Sequence, residues 1–184
     1  MAAVIQNGEA LRHASADLQD DRCIVMAAVT QFAFALQYAS PRLQCDREIA
    51  MAAVTRKGEA FCFVGEELRS DRRLVKEAVS RFGSSLRHAC AALKNDRGIV
   101  KRAVTKNGRA LRYSSASLKN DRDVVMAAIR TNGEALRYAS ELVQNDKSVV
   151  LTAVAESGAA LEYASESLRD DRDVVAAAVT QSCD

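Results

Sequence analysis

The chain has 184 residues, with 26 Lys and Arg against 24 Asp and Glu for a net charge of +2. Hydrophobic residues make up 48%, charged residues 27% and aromatics 5%, with no tryptophan and one proline, Pro41. That balance excludes a disordered tail and a membrane span of roughly 20 apolar residues, and favours helices packed through small side chains.

Aspartate recurs every 25 residues, at Asp21, Asp46, Asp71, Asp96, Asp121, Asp146 and Asp171, each followed by Arg or Lys. With that aspartate as position 1, residues 21–170 form six full repeats, 1–20 supply the last 20 positions of another, and 171–184 the first 14. Residues 1–184 therefore read as a single repeat domain. The elements of each copy are plainest in residues 121–145. Asn120 and Asp121 stand where a helix N-cap or first-turn acid belongs. Val124, Val125, Ala128 and Ile129, at positions 4, 5, 8 and 9, predict one face of a first helix. Gly133 represents position 13, glycine in six of eight copies, and is predicted to close that helix in the left-handed region. Leu136, Ala139, Ser140 and Val143 then show the i, i+3, i+4, i+7 spacing of a second, shorter helix.

Position 8 is alanine in every copy and position 9 is Val or Ile, which predicts close approach of neighbouring helices. One hairpin cannot bury its own apolar face, so neighbours must stack. The predicted fold is all-α, an α-solenoid of 25-residue two-helix repeats. The pattern D-R-x-V-V-x-A-A-V-x-x-N-G-x-A-L-x-Y-A-S-x-x-L resembles the tandem helical repeats of domain of unknown function 4116 over the whole chain. The resemblance supports the fold and implies no activity, cofactor or catalytic residue.

Departures from the template, in chain order, carry the functional reading. The chain opens within a repeat, on MAAV, and shows no capping repeat at either end. This points to a segment of a longer array or a subunit with covered ends, in both cases inside an assembly. His13 and His88 share position 18, where Tyr38, Phe63, Tyr113, Tyr138 and Tyr163 stand elsewhere. They read as variants of a packing aromatic, with metal or pigment ligation the rival. In residues 21–45 the usual Asn-Gly becomes Phe32-Ala33, followed by Phe34, an apolar corner open to repacking or to a partner.

Residues 71–120 carry a net +10, against −2 before them and −6 after. Lys76 and Lys101 replace methionine at position 6, Arg102 replaces alanine at position 7, and Arg109 replaces glutamate at position 14. Arg81 and Lys106 share position 11, and Arg87 and Arg112 share position 17. This basic patch, with Phe32 and Phe34 second, is the predicted contact surface for a protein partner, with an acidic one the expected kind; the plain alternative is a solvated face that pairs with the acidic ends, within the chain or between molecules. Nucleic acid is the rival ligand. The polar positions 11, 14 and 17 show no base-reading code, and the acidic C-terminal third repels phosphate.

Catalysis needs residues that break the template and converge, and none stands out. The Asp–Arg ladder reads as caps and inter-repeat ion pairs, and the serine at position 20 has no adjacent base. No phosphate loop, metal spacing or carboxylate pair is present, so no catalytic, cofactor or metal residue is expected. Cys23, Cys45, Cys62, Cys90 and Cys183 form an odd set without C-x-x-C spacing, as expected of reduced thiols in an intracellular compartment. The expected function is a non-enzymatic interaction scaffold or a structural subunit of a larger assembly.

Overall fold

In the computed structural model, which describes residues 7–180, each long helix follows an aspartate at position 1. Asp121 has extended backbone angles, and its Oδ1 accepts from the Asp123 and Val124 amides at 3.0 and 3.1 Å. Asp21, Asp46, Asp71 and Asp146 cap their helices in the same way, satisfying amides that a first turn leaves unbonded. The helices so opened include Arg22–Gln31, Arg47–Arg56, Arg72–Arg81, Arg97–Lys106, Arg122–Ile129 and Lys147–Glu156. Positions 4, 5, 8 and 9 are their buried face: Val124, Val125, Ala128 and Ile129 are all 0% exposed.

The second half of the repeat differs from the predicted single helix. Gly133–Tyr138 is a 3-10 helix, Ala139 and Ser140 are extended, and Glu141–Gln144 is one α-helical turn. The same order recurs from copy to copy, with Glu66–Ser70 a 3-10 turn in place of the short α-helix. Apolar spacing explains the tighter winding. Gly58, Phe61 and Val64 lie three apart and are all buried, as a helix of 3.0 residues per turn requires. The serine then stops it: Ser40 and Ser140 accept from the Leu43 and Val143 amides at 3.3 and 3.4 Å, capping the short helix instead.

The glycine at position 13 does not adopt the predicted left-handed conformation; no described residue has a positive φ. It opens the 3-10 segment against the next repeat. A Cβ on Gly58 would lie 2.7 Å from the Ala78 carbonyl, and one on Gly133 2.5 Å from that of Ala153. Glycine is there for clearance, and Ala33 fills the same place without a special φ. The preceding asparagine serves this second element: Asn107 and Asn132 accept from the Arg109 and Glu134 amides, each at 3.0 Å.

Contacts divide the chain into two compact units, 1–90 and 91–184. In the first, Arg22–Gln31, Arg47–Arg56 and Arg72–Arg81 pack in sequence, over a row formed by Gly8–His13, Ala33–Tyr38, Gly58–Phe63 and Gly83–His88. The second has the same two layers. Arg97–Lys106, Arg122–Ile129, Lys147–Glu156 and Arg172–Thr180 form one, and Gly108–Tyr113, Gly133–Tyr138 and Gly158–Tyr163 the other. No strand occurs among the described residues. Met1 through Val4 and Cys183 lie outside the described residues.

Three contacts fasten one copy to the next. The position-20 amide donates to the carbonyl at position 24 of the copy before, as Ser115 does to Lys94 at 3.0 Å and Ser140 to Lys119 at 2.9 Å. The serine hydroxyl donates to position 25 of that copy, Ser115 to Asn95 and Ser140 to Asn120 both at 2.6 Å. Third, the base at position 2 reaches the next aspartate: Arg47 to Asp71 at 2.6 Å, Arg97 to Asp121 at 2.7 Å and Lys147 to Asp171 at 2.8 Å. One carboxylate thus serves two purposes, Oδ1 as helix cap and Oδ2 as ion-pair acceptor. The Arg47 and Arg97 guanidinium groups hold the Asp71 and Asp121 carboxyls below the ordinary carboxylate value, against an opposing desolvation from partial burial.

Candidate functional site

Two surfaces remain after the core is assigned, and the repeat register separates them. Thr30, Met51, Ala52, Thr55 and Arg56 line a shallow groove of about 410 Å³ on the outer side of the long helices. They occupy positions 6, 7, 10 and 11, so this is the long-helix face. The other face belongs to the 3-10 row, where positions 14, 17 and 18 are found.

The basic residues predicted as one patch are divided between these faces. Lys101, Arg102 and Lys106, on Arg97–Lys106, occupy positions 6, 7 and 11 and are exposed. Lys101 and Lys106 meet no carboxylate among the described residues. Lys76 is exposed at position 6 of Arg72–Arg81, whose Arg81 is held by Glu77 at 2.8 Å. Arg87 belongs to the 3-10 row of the first unit, Arg109 and Arg112 to that of the second, and all three are engaged locally. Arg109 pairs with Glu134 at 3.1 Å, Arg112 lies over the Tyr113 ring at 5.0 Å, and Arg87 donates its Nε–H to His88 Nε2 at 2.6 Å.

Phe32 and Phe34 are half-buried and do not form an open apolar patch. Their rings meet edge to face at 5.5 Å, Phe34 meets Phe63 at 6.1 Å, and the Lys57 ammonium stands 5.3 Å above Phe34. Aromatics in successive copies have repacked the corner among themselves. The position-18 residues are half-buried as well, except His13, which is exposed. Arg137 stands 5.2 Å from the Tyr138 ring and 5.4 Å from Tyr163, a cation shared by successive rings.

One convergence was missed in the sequence. Glu59, Cys62, Phe82, Ser84, Arg87 and His88 line a half-enclosed cavity of about 210 Å³ in the first unit. Four depart from the template: Cys62 for arginine, Phe82 for asparagine, Ser84 for glutamate and His88 for tyrosine. Ser85, also in its wall, is buried and donates to the Gly58 carbonyl at 2.8 Å. The signal was legible, because these departures fall at facing positions of consecutive copies, 46–70 and 71–95. Partial burial pushes the Cys62 thiol pKa up, with Arg87 acting in the opposite direction. Among the described residues no three His, Cys, Asp or Glu side chains come together as a metal site. No described helix is long and apolar enough to cross a membrane.

The fold and these surfaces define an all-α protein of tandem helical repeats. The chain belongs to the family described as domain of unknown function (DUF4116), which matches residues 1–44, 46–94, 71–118, 96–144 and 146–184. No curated protein and no solved structure matches the chain.

Proposed function

We propose that the protein is a non-enzymatic interaction scaffold that receives an acidic protein partner on the long-helix face of Arg97–Lys106, as one subunit of a larger assembly. The observation that carries this reading is the set Lys101, Arg102 and Lys106. Bases at position 2, such as Arg97 and Arg122, are held by the aspartate of the next copy. Lys101 and Lys106 have no such acid among the described residues. Gly98 at position 3 leaves the same helix without a side chain beside them. Methionine stands half-buried at position 6 in Met51 and Met126, so lysine there exchanges a thioether for an exposed charge. Such a face steers an acidic surface and loses affinity as salt screens it. A protein partner is favoured over nucleic acid because the aromatics at position 18 belong to the 3-10 row, away from the lysines, leaving the basic face without a stacking side chain.

The test is the triple variant Lys101→Glu, Arg102→Glu, Lys106→Glu, checked for helical content by circular dichroism. It is compared with the parent for stoichiometric partners recovered from the native source and for binding of a polyglutamate peptide. Loss of both in a folded variant is expected. An unchanged partner set and unchanged peptide affinity would remove this face, and salt-sensitive binding of an RNA or DNA polymer to the parent alone would replace the reading with a nucleic-acid one.

A further inference from the structure

We propose that the cavity between Gly58–Phe63 and Gly83–His88 binds a small zwitterion of the α-amino-acid class. It is independent of the scaffold reading and uses the 3-10 face of the first unit.

The second unit shows what normally fills this register. There the Arg137 guanidinium at position 17 lies 5.4 Å from the ring of Tyr163, at position 18 of the following copy. In the first unit the corresponding pair is Cys62 and His88. Arginine has become a short thiol and tyrosine a smaller ring, and Ser84 stands where Glu9, Glu59 and Glu134 occupy position 14 in other copies. These three changes remove volume, Phe82 for asparagine and Ser85 for alanine add some at the wall, and a cavity of about 210 Å³ is left. That is the space of about seven waters at ~30 Å³ each, and below the ~300 Å³ where drug-sized pockets begin. The ligand is therefore small.

Charge decides its class. Glu59 and Arg87 line the cavity with opposite signs and form no ion pair with each other. Glu59 pairs with no cation among the described residues, whereas Glu134, at the same position in the second unit, is taken by Arg109. Arg87 directs Nε to His88, leaving its terminal nitrogens for another acceptor. The next cation, Arg69, is occupied by the Val64 carbonyl at 3.3 Å and by Glu66 at 3.8 Å. Burial raises the Cys62 thiol pKa first of all, and among the neighbouring charges Arg87 and Arg69 oppose that rise while Glu59 adds to it. A single anion or cation satisfies one rim charge and is repelled by the other. A ligand carrying a carboxylate and an ammonium on one carbon answers both, and Phe82, 39% exposed at the wall, receives a small apolar side chain.

The experiment titrates the isotope-labelled protein with L-alanine, and separately with acetate and with ethylamine, following the Cys62, Ser84 and Arg87 amides by nuclear magnetic resonance. Alkylation of Cys62, located by peptide mass spectrometry, is a second readout. L-alanine is expected to shift those amides and to slow Cys62 alkylation, with each single-charge probe binding at least about tenfold more weakly. Glu59→Gln and Arg87→Gln are each expected to weaken L-alanine about tenfold. Cys62→Arg restores the residue of Arg12, Arg87, Arg112 and Arg137, fills the slot and abolishes the shifts; Ser84→Glu does the same by a second template residue, should the first variant not fold. The proposal is overturned if L-alanine moves nothing up to its solubility limit, if acetate binds as well as L-alanine, or if a folded slot-filling variant still binds.

Discussion

Gly65→Ser probes whether neighbouring copies are locked by matched side-chain pairs. In most copies position 25 is Asn or Asp and the following position 20 is serine, as in Asn120 with Ser140, whose hydroxyl donates at 2.6 Å. Where position 25 is Cys45, position 20 is Gly65, and a Cβ there would fall well inside van der Waals contact with the Cys45 sulfur. Gly65→Ser alone therefore overpacks the junction, at about 1–3 kcal/mol. Cys45→Asn alone sets an amide against a residue with no hydroxyl to pair with it, at about 1 kcal/mol in this half-buried place. Independent effects would sum to about 2–4 kcal/mol. In the double variant the serine and asparagine can form the bond seen in other copies, so we expect a favourable coupling of about 1–3 kcal/mol. Urea unfolding of the four proteins, followed by circular dichroism, measures the cycle. Additivity within ~0.5 kcal/mol would refute the pairing.

Three further outcomes are expected. Ala103→Leu should destabilise by about 1–3 kcal/mol, since Ala103 is 0% exposed where long helices of neighbouring copies meet; an unchanged urea midpoint would show that the contact is not tight. Asp121→Ala removes both a helix cap and the acceptor of Arg97, whereas Arg97→Ala removes the ion pair alone; the first should cost about 1–2 kcal/mol and the second markedly less, and equal losses would contradict the division of work between the two carboxylate oxygens. Asp71 and Asp121 are depressed in the folded state, so their contribution is complete above the unfolded value near 3.9 and is lost as pH falls through the folded one. The urea midpoint should be level from about pH 7 to 5 and fall below about pH 4, less steeply in Asp71→Asn; a midpoint unchanged to about pH 3 would refute the linkage.

The 25-residue period, the helical character of the repeat and the buried face at positions 4, 5, 8 and 9 were determined by the sequence itself. Each follows from local spacing: Val124, Val125, Ala128 and Ile129 share a side of any α-helix, and Asp121 caps it wherever it lies. The second half of the repeat was ambiguous because Leu136, Ala139, Ser140 and Val143 suit a helix of 3.6 residues per turn, while the residues at 13, 16 and 19 suit one of 3.0. Only packing against the next copy selected the tighter winding. The same approach explains position 13, where the constraint on Gly133 is a carbonyl 20 residues away and no local spacing contains it. Local charge was likewise legible as a block of +10, but stacking within the second unit assigns Lys101 and Lys106 to its long-helix face and Arg109 and Arg112 to its 3-10 row. The cavity beside Cys62 and His88 is a property of two copies together: each substitution is small in its own repeat, and the space exists only where both face each other across the junction.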